Sequence, residues 1–196
     1  MPTFTPTPTV TPTPILKNGD FEQGRNGAWR EVSTNGLAII QLAPSGLVAH
    51  SGNWLGWFGG IADDASMIEQ QVTVPANRPY LRYWHWIASE DACGYDVGGV
   101  IIEVGDEDDV VDGTWLCRSE NTNGWRMRFV DLRKYAGQSV LLEFLGGTDG
   151  ALNSNWFVDD IVFVSSSAAL TAQIPVRVDD PALIERLEVI FDQLPE

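Results

Sequence analysis

Two histidines, His50 and His85, and two cysteines, Cys93 and Cys117, are the whole supply of imidazole and thiol in this 196-residue chain. No HExxH, GxSxG, P-loop or CxxC pattern accompanies them, so nothing marks an activated nucleophile, a zinc site or a phosphate cradle. His85 lies inside the aromatic run YLRYWHWIA at 80–88, where a satisfied structural histidine is expected. His50 precedes Ser51-Gly52, a turn pair. Carboxylates are plentiful, with 27 Asp and Glu. A glycosidase would set two of them across a cleft, but a chain this acidic offers pairs by chance. The run Asp106, Glu107, Asp108, Asp109 and Asp112 invites a calcium reading. It fails the EF-hand pattern, because Val110 stands where the third ligand belongs and the turn glycine and distal Glu are out of place. A solvated hairpin tip is expected there instead. The chemistry on offer is recognition, not turnover.

Eight Trp, four Tyr and eight Phe are many for this length. Flat rings stack on the C–H faces of sugars, while Arg, Asp, Asn and Gln hydrogen-bond the hydroxyls. Strand alternation puts Arg82, Trp84 and Trp86 on one face and Tyr83 and His85 on the other. Trp54 and Phe58 share a face, and Trp57 takes the opposite one. One face must be core, so at least half of these rings are packing. Trp86 is the leading ligand candidate, because Arg82 shares its face and Glu90, Asp91 and Asp96 follow. Tyr95 and Trp115 come next, giving an expected ligand set of Arg82, Trp86, Tyr95, Asp96 and Trp115. The formal net charge of −15 repels phosphate backbones and anionic lipid, which excludes nucleic acid as a partner and favours neutral or cationic polymers. No run approaches the roughly 18 apolar residues of a membrane helix. The start also lacks the basic and apolar regions of a signal peptide.

These side chains need a scaffold, and the pattern from residue 15 to 164 predicts strands. Candidates are 15–22, 36–42, 54–58, 67–74, 80–88, 97–104, 110–117, 125–132, 139–145 and 156–164. Asn-Gly pairs at 26–27, 35–36 and 123–124, Pro44-Ser45-Gly46 and Asp112-Gly113 punctuate them. Short strands at this spacing with no helical period between them predict an all-β antiparallel sandwich. Residues 1–14 carry alternating Thr-Pro, which favours an extended linker or tail. After 164 a serine linker leads to an alternating segment at 173–178. Asp180-Pro181 then caps a short amphipathic helix carrying Leu183, Leu187, Ile190 and Leu194. That helix must cover apolar surface, on its own sandwich or on another copy. Cys93 and Cys117, 24 positions apart, are by count alone either two buried thiols or one disulfide.

Two motifs at the ends of the β region carry a resemblance. NGDFEQG at 18–24, with Trp29 after it, and FVDDIVF at 157–163 resemble the brackets of bacterial carbohydrate-binding modules of the galactose-binding-like jelly-roll type and of MAM-type domains. His50-Ser51-Gly52, QQVTVP at 70–75 and the 124–138 segment fit the same pattern. The stretch 80–100 with Cys117 is similar to a secreted bacterial subgroup that often follows Thr-Pro linkers. The resemblance implies a jelly roll over 15–164, a Cys93–Cys117 disulfide and an extracellular or cell-surface setting. It also implies a structural Ca2+ held by Glu22 and Asp160, with Asp159 as a further ligand. The function it implies is a non-catalytic binding or adhesion module for a polysaccharide or glycoprotein. The alternatives are a self-assembling filament or layer subunit that binds other copies through its tails, and an accessory domain of a secreted hydrolase.

Overall fold

The computed structural model describes residues 16–165 and 178–195. The Thr-Pro tail and residues 173–177 of the strand-like segment lie outside the described residues. Ten strands form two five-stranded sheets. They are β1 (Arg30–Ser33), β2 (Ile40–Leu42), β3 (Trp54–Gly59), β4 (Ala65–Thr73), β5 (Tyr80–Ser89), β6 (Val97–Val104), β7 (Glu107–Trp115), β8 (Arg126–Asp131), β9 (Ser139–Gly147) and β10 (Ser154–Val164). The first sheet runs β1-β4-β9-β6-β7 and the second β2-β3-β10-β5-β8. All the strand pairings are antiparallel, so the fold is the expected jelly-roll-like β-sandwich.

Alternation does the sorting. On β5, Leu81, Tyr83, His85 and Ile87 are buried while Arg82, Trp84 and Trp86 are only half-buried. The inward rings of Phe58, Tyr83, Phe144 and Trp156 meet between the sheets, with Phe58 and Tyr83 each 5.1 Å from a partner ring. Each such side chain stabilises the fold by roughly 1.5–3 kcal/mol through burial. His85 is a core histidine, as expected. Trp156 Nε1 donates to its Nδ1 at 3.2 Å. Burial, and then the Arg128 charge, push its pKa down to about 3, so the ring is neutral. The acidic run also divides by burial. Asp106 sits at the turn between β6 and β7, but Asp112 is buried and accepts from Tyr83 Oη at 2.7 Å and from the Arg128 guanidinium. That ion pair joins the two sheets.

Two sequence expectations need correction, and one strand was not expected. Residues 15–22 do not form a strand within the described part. Asn18 and Phe21 have φ of 50° and 56°, which a pleated strand cannot accommodate. The segment is instead held by the Gln70 side chain, which bonds both the N–H and the carbonyl of Lys17. The first strand is REVS at 30–33, whose polar pattern carries little strand signal. The strand expected at 36–42 begins only at Ile40.

The helix α1 (Pro181–Phe191) lies on the outer face of the first sheet. Asp180 caps it, accepting from Ala182 N at 3.0 Å, and Pro181 opens it. Leu183, Leu187 and Ile190 bury against Val32, Met67, Val97, Ile101 and Leu145. The floor beneath is glycine. A Cβ at Gly99 would stand 2.8 Å from Leu187, and one at Gly147 would stand 2.5 Å from Ile190. The helix is therefore seated on its own sandwich. A disulfide joins Cys93 and Cys117, tying the β5–β6 loop to the segment after β7.

Candidate functional site

Among the described residues, no helix lies on the outer face of the second sheet. Trp57 of β3, Phe157 of β10 and Trp86 of β5 are direct cross-strand neighbours, since Phe157 pairs with both. Trp125, just before β8, continues the line beside Trp86. Ring centroids are 5.5 Å apart for Trp57–Phe157, 6.5 Å for Phe157–Trp86 and 6.1 Å for Trp86–Trp125. The four rings thus form one row across the strands, roughly 14 Å long at the usual strand spacing. Phe157 is buried, while the three indoles remain half-buried. Two of the indoles are pinned by their N–H groups. Trp57 Nε1 donates to Asn155 Oδ1 at 2.9 Å, and Trp125 Nε1 to the Val48 carbonyl at 2.9 Å. Rings fixed in this way lose little freedom when a ligand stacks on them.

At the Trp57 end the row opens into a groove of about 400 Å³ lined by Leu37, Gln41, Trp57, Ile61, Asp64 and Ser66. The volume suits a small saccharide. Ser66 is buried and its hydroxyl has no hydrogen-bond partner among the described residues. The Asp64 carboxylate is held by Ser33, Thr34 and Asn35.

The expected ligand residues do not assemble into one site. Trp86 lies in the row. Arg82 shares its face but lies farther along β5, in a separate groove of about 590 Å³ with Asn18, Asp20, Arg78 and Asp160. Trp115 donates to the Asp180 carboxylate at 3.0 Å, and the Tyr95 carbonyl accepts from Arg186 at 2.8 Å, so both hold the helix. Asp96 is buried near Asp91 and Asp149. Trp57, Gln41 and Ser66 were outside the expected set. Their signal was weak, because Trp57 was readable only as facing away from Trp54.

Glu22, Asp159 and Asp160 converge on one turn, residues 50–54. Glu22 Oε1 accepts from the Asn53 and Trp54 amides at 2.8 and 2.7 Å. Asp159 accepts from the Ser51 amide at 3.0 Å, and Asp160 from the Ser51 hydroxyl at 2.9 Å. His50 Nδ1 meets Asp160 at 2.5 Å while its ring stacks on Trp84 at 3.9 Å. Gly52, at φ 56°, is needed here, since a Cβ would fall 2.1 Å from the Glu22 carboxyl carbon. Burial, followed among the unfavourable influences by the Asp160 charge, pushes Asp159 up to about 7. N–H and O–H donors thus face these oxygens, which fits a hydrogen-bonded clasp between chain start, turn and last strand better than a cation shell. Among the described residues, the acidic groups whose oxygens converge within 4.8 Å are two others, Asp91–Asp96–Asp149 and Glu103–Asp108–Glu143.

No family model matches this chain, and no curated protein matches it. Solved structures do. The carbohydrate-binding module TmCBM61, solved with β-1,4-galactotriose, superposes with a TM-score of 0.55 at 16% identity, over 79% of this chain and 99% of that one. The K1 cleaved adhesin domain of Lys-gingipain from Porphyromonas gingivalis W83 gives 0.53 at 15%, over 72% and 93%. A module specific for non-crystalline cellulose, CBM28, gives 0.51 at 11%, over 81% and 100%. No helix among the described residues is long and apolar enough to cross a membrane. In fold, the chain is a β-sandwich of the kind shared by carbohydrate-binding modules and adhesin domains.

Proposed function

We propose that this domain is a non-catalytic carbohydrate-binding module that takes a neutral polysaccharide or glycoprotein glycan on the outer face of its second sheet. The observation that carries the reading is the row Trp57–Phe157–Trp86–Trp125, which runs into a sugar-sized groove with polar Gln41 and Ser66. Stacking on Trp57 and Trp86 supplies affinity, and the groove supplies orientation. Arg82 acts as a distal contact on the same face. The likeness to modules that bind galactotriose and cellulose supports a polysaccharide ligand. An extracellular or cell-surface setting accords with the disulfide. Of the segments that the self-assembly alternative would use, the helix is seated on its own sandwich, and the Thr-Pro tail and residues 173–177 lie outside the described residues.

Affinity electrophoresis through gels of neutral galactans and β-glucans tests the reading. The wild type should be retarded in at least one. Trp57→Ala should lose about tenfold or more in affinity, about 1.4 kcal/mol, and Trp86→Ala somewhat less. Mobility unchanged in every gel would defeat the proposal.

A further inference from the structure

We infer that Asp91, Asp96 and Asp149 form a calcium site at the end of the sandwich where β5 finishes and β10 begins. Asp91 and Asp96 belong to the β5–β6 loop, which passes from the second sheet to the first. Asp149 belongs to the β9–β10 loop, which passes back. One carboxylate oxygen from each lies within 4.8 Å of the other two. That span suits oxygens around a cation with bonds of about 2.3–2.6 Å.

Burial makes this more than an acidic cluster. Asp91 is 5% exposed and Asp96 is 1% exposed. Asp91 Oδ1 accepts from the Ala92 amide and Asp96 Oδ1 from the Asp149 amide, both at 2.7 Å. The second oxygen of each, Oδ2, is buried with no hydrogen-bond partner among the described residues. The Ser154 hydroxyl beside Asp96 has hydrogen bonds of its own to the Leu116 carbonyl and Ser89. None of the three carboxylates pairs with a Lys or Arg among the described residues. A buried carboxylate with one oxygen unpartnered and no counter-ion is unfavourable, and three together repel one another. A hard divalent cation removes both penalties, and an all-carboxylate set without His or Cys selects one.

The surroundings hold the ligands in place without filling the site. The Leu116 and Arg118 amides bond the backbone carbonyls of Asp96 and Asp91, and the disulfide anchors Cys93 between them. The Asp149 carbonyl accepts from Asp63 N at 2.8 Å, which fixes the second loop. The Glu103–Asp108–Glu143 cluster is the weaker candidate. Asp108 is exposed, and Arg30, paired with Glu69, supplies positive charge beside Glu143.

Equilibrium dialysis of calcium against the chelator-stripped full chain tests this, with no reference to glycan binding. The wild type should bind calcium with a Kd of about 10⁻³ M or tighter, the range of extracellular modules. Asp149→Asn, at the half-exposed ligand, should fold normally and lose one ion per chain or weaken it about tenfold. Asp96→Asn should do the same, and near-ultraviolet circular dichroism shows whether it folds. Asp160→Asn should keep that ion. No uptake by the wild type up to about 10⁻² M calcium would overturn the assignment. Unchanged uptake by folded Asp149→Asn would overturn it equally.

Discussion

The two outer faces of this sandwich come from similar strands and end differently. The first sheet offers glycine at Gly99, Gly113 and Gly147, and α1 lies down in the space, with Leu183, Leu187 and Ile190 filling it. The second sheet places large rings at the corresponding outward positions. Ala43, Leu47 and Ala49 of the loop preceding β3 cluster with these rings, and the three indoles stay half-buried. Side-chain size alone decides which face is closed for stability and which remains available for a ligand. The helix also takes up Trp115 and the Tyr95 carbonyl, the polar and aromatic groups that could otherwise have served a ligand on its side.

Breaking the closed face should give the largest effect. Gly147→Val places carbon where Ile190 packs, 2.5 Å away, and should displace the helix. A melting temperature more than about 10 °C lower and dye binding at the bared sheet are expected, from several kcal/mol of lost packing. Glycan binding by the folded fraction should survive, because none of the four rings of the row packs in the helix cluster. Opening the disulfide comes next. Cys93→Ser with Cys117→Ser frees a loop with a sequence separation of 24, which should remove about 3 kcal/mol in denaturant titrations.

A third change sharpens the contrast by pH. Glu143 is buried on the outward side of the first sheet, beyond the helix. Burial, then the Glu69 charge, push its pKa from 4.5 to about 8. The folded chain therefore holds a proton that the unfolded chain has already released. Its contribution to stability should fall as pH rises from about 4.5 to 8. Glu143→Gln should flatten that fall and melt above the wild type at pH values past 8. Smallest is Trp115→Phe, which removes one hydrogen bond to the helix cap and should lower stability by about 1 kcal/mol.

Much of the scaffold could be read from local pattern. The alternation in β5 sorted inward from outward residues correctly, and Asp180-Pro181 marked the helix start. The 15–22 segment misled because it opens on the apolar pair Ile15-Leu16 and carries Phe21 near its end, while two positive-φ residues and the Gln70 side chain decide its path. The aromatic row was out of reach for a different reason. Its rings come from β3, β10, β5 and the residue before β8, and only the sheet order makes them neighbours. Periodicity states which way a ring points, not which strand lies beside it. The three-aspartate cluster has the same origin, since Asp149 meets Asp91 and Asp96 only after two crossovers close.

The indole N–H signals of a ¹⁵N-labelled sample, followed during titration with a polysaccharide the protein retains, test the central claim most directly. The account predicts shifts at Trp57, Trp86 and Trp125, with Trp29, Trp115 and Trp156 unmoved. Shifts centred on Trp115, or no indole shift at saturating ligand, would contradict it.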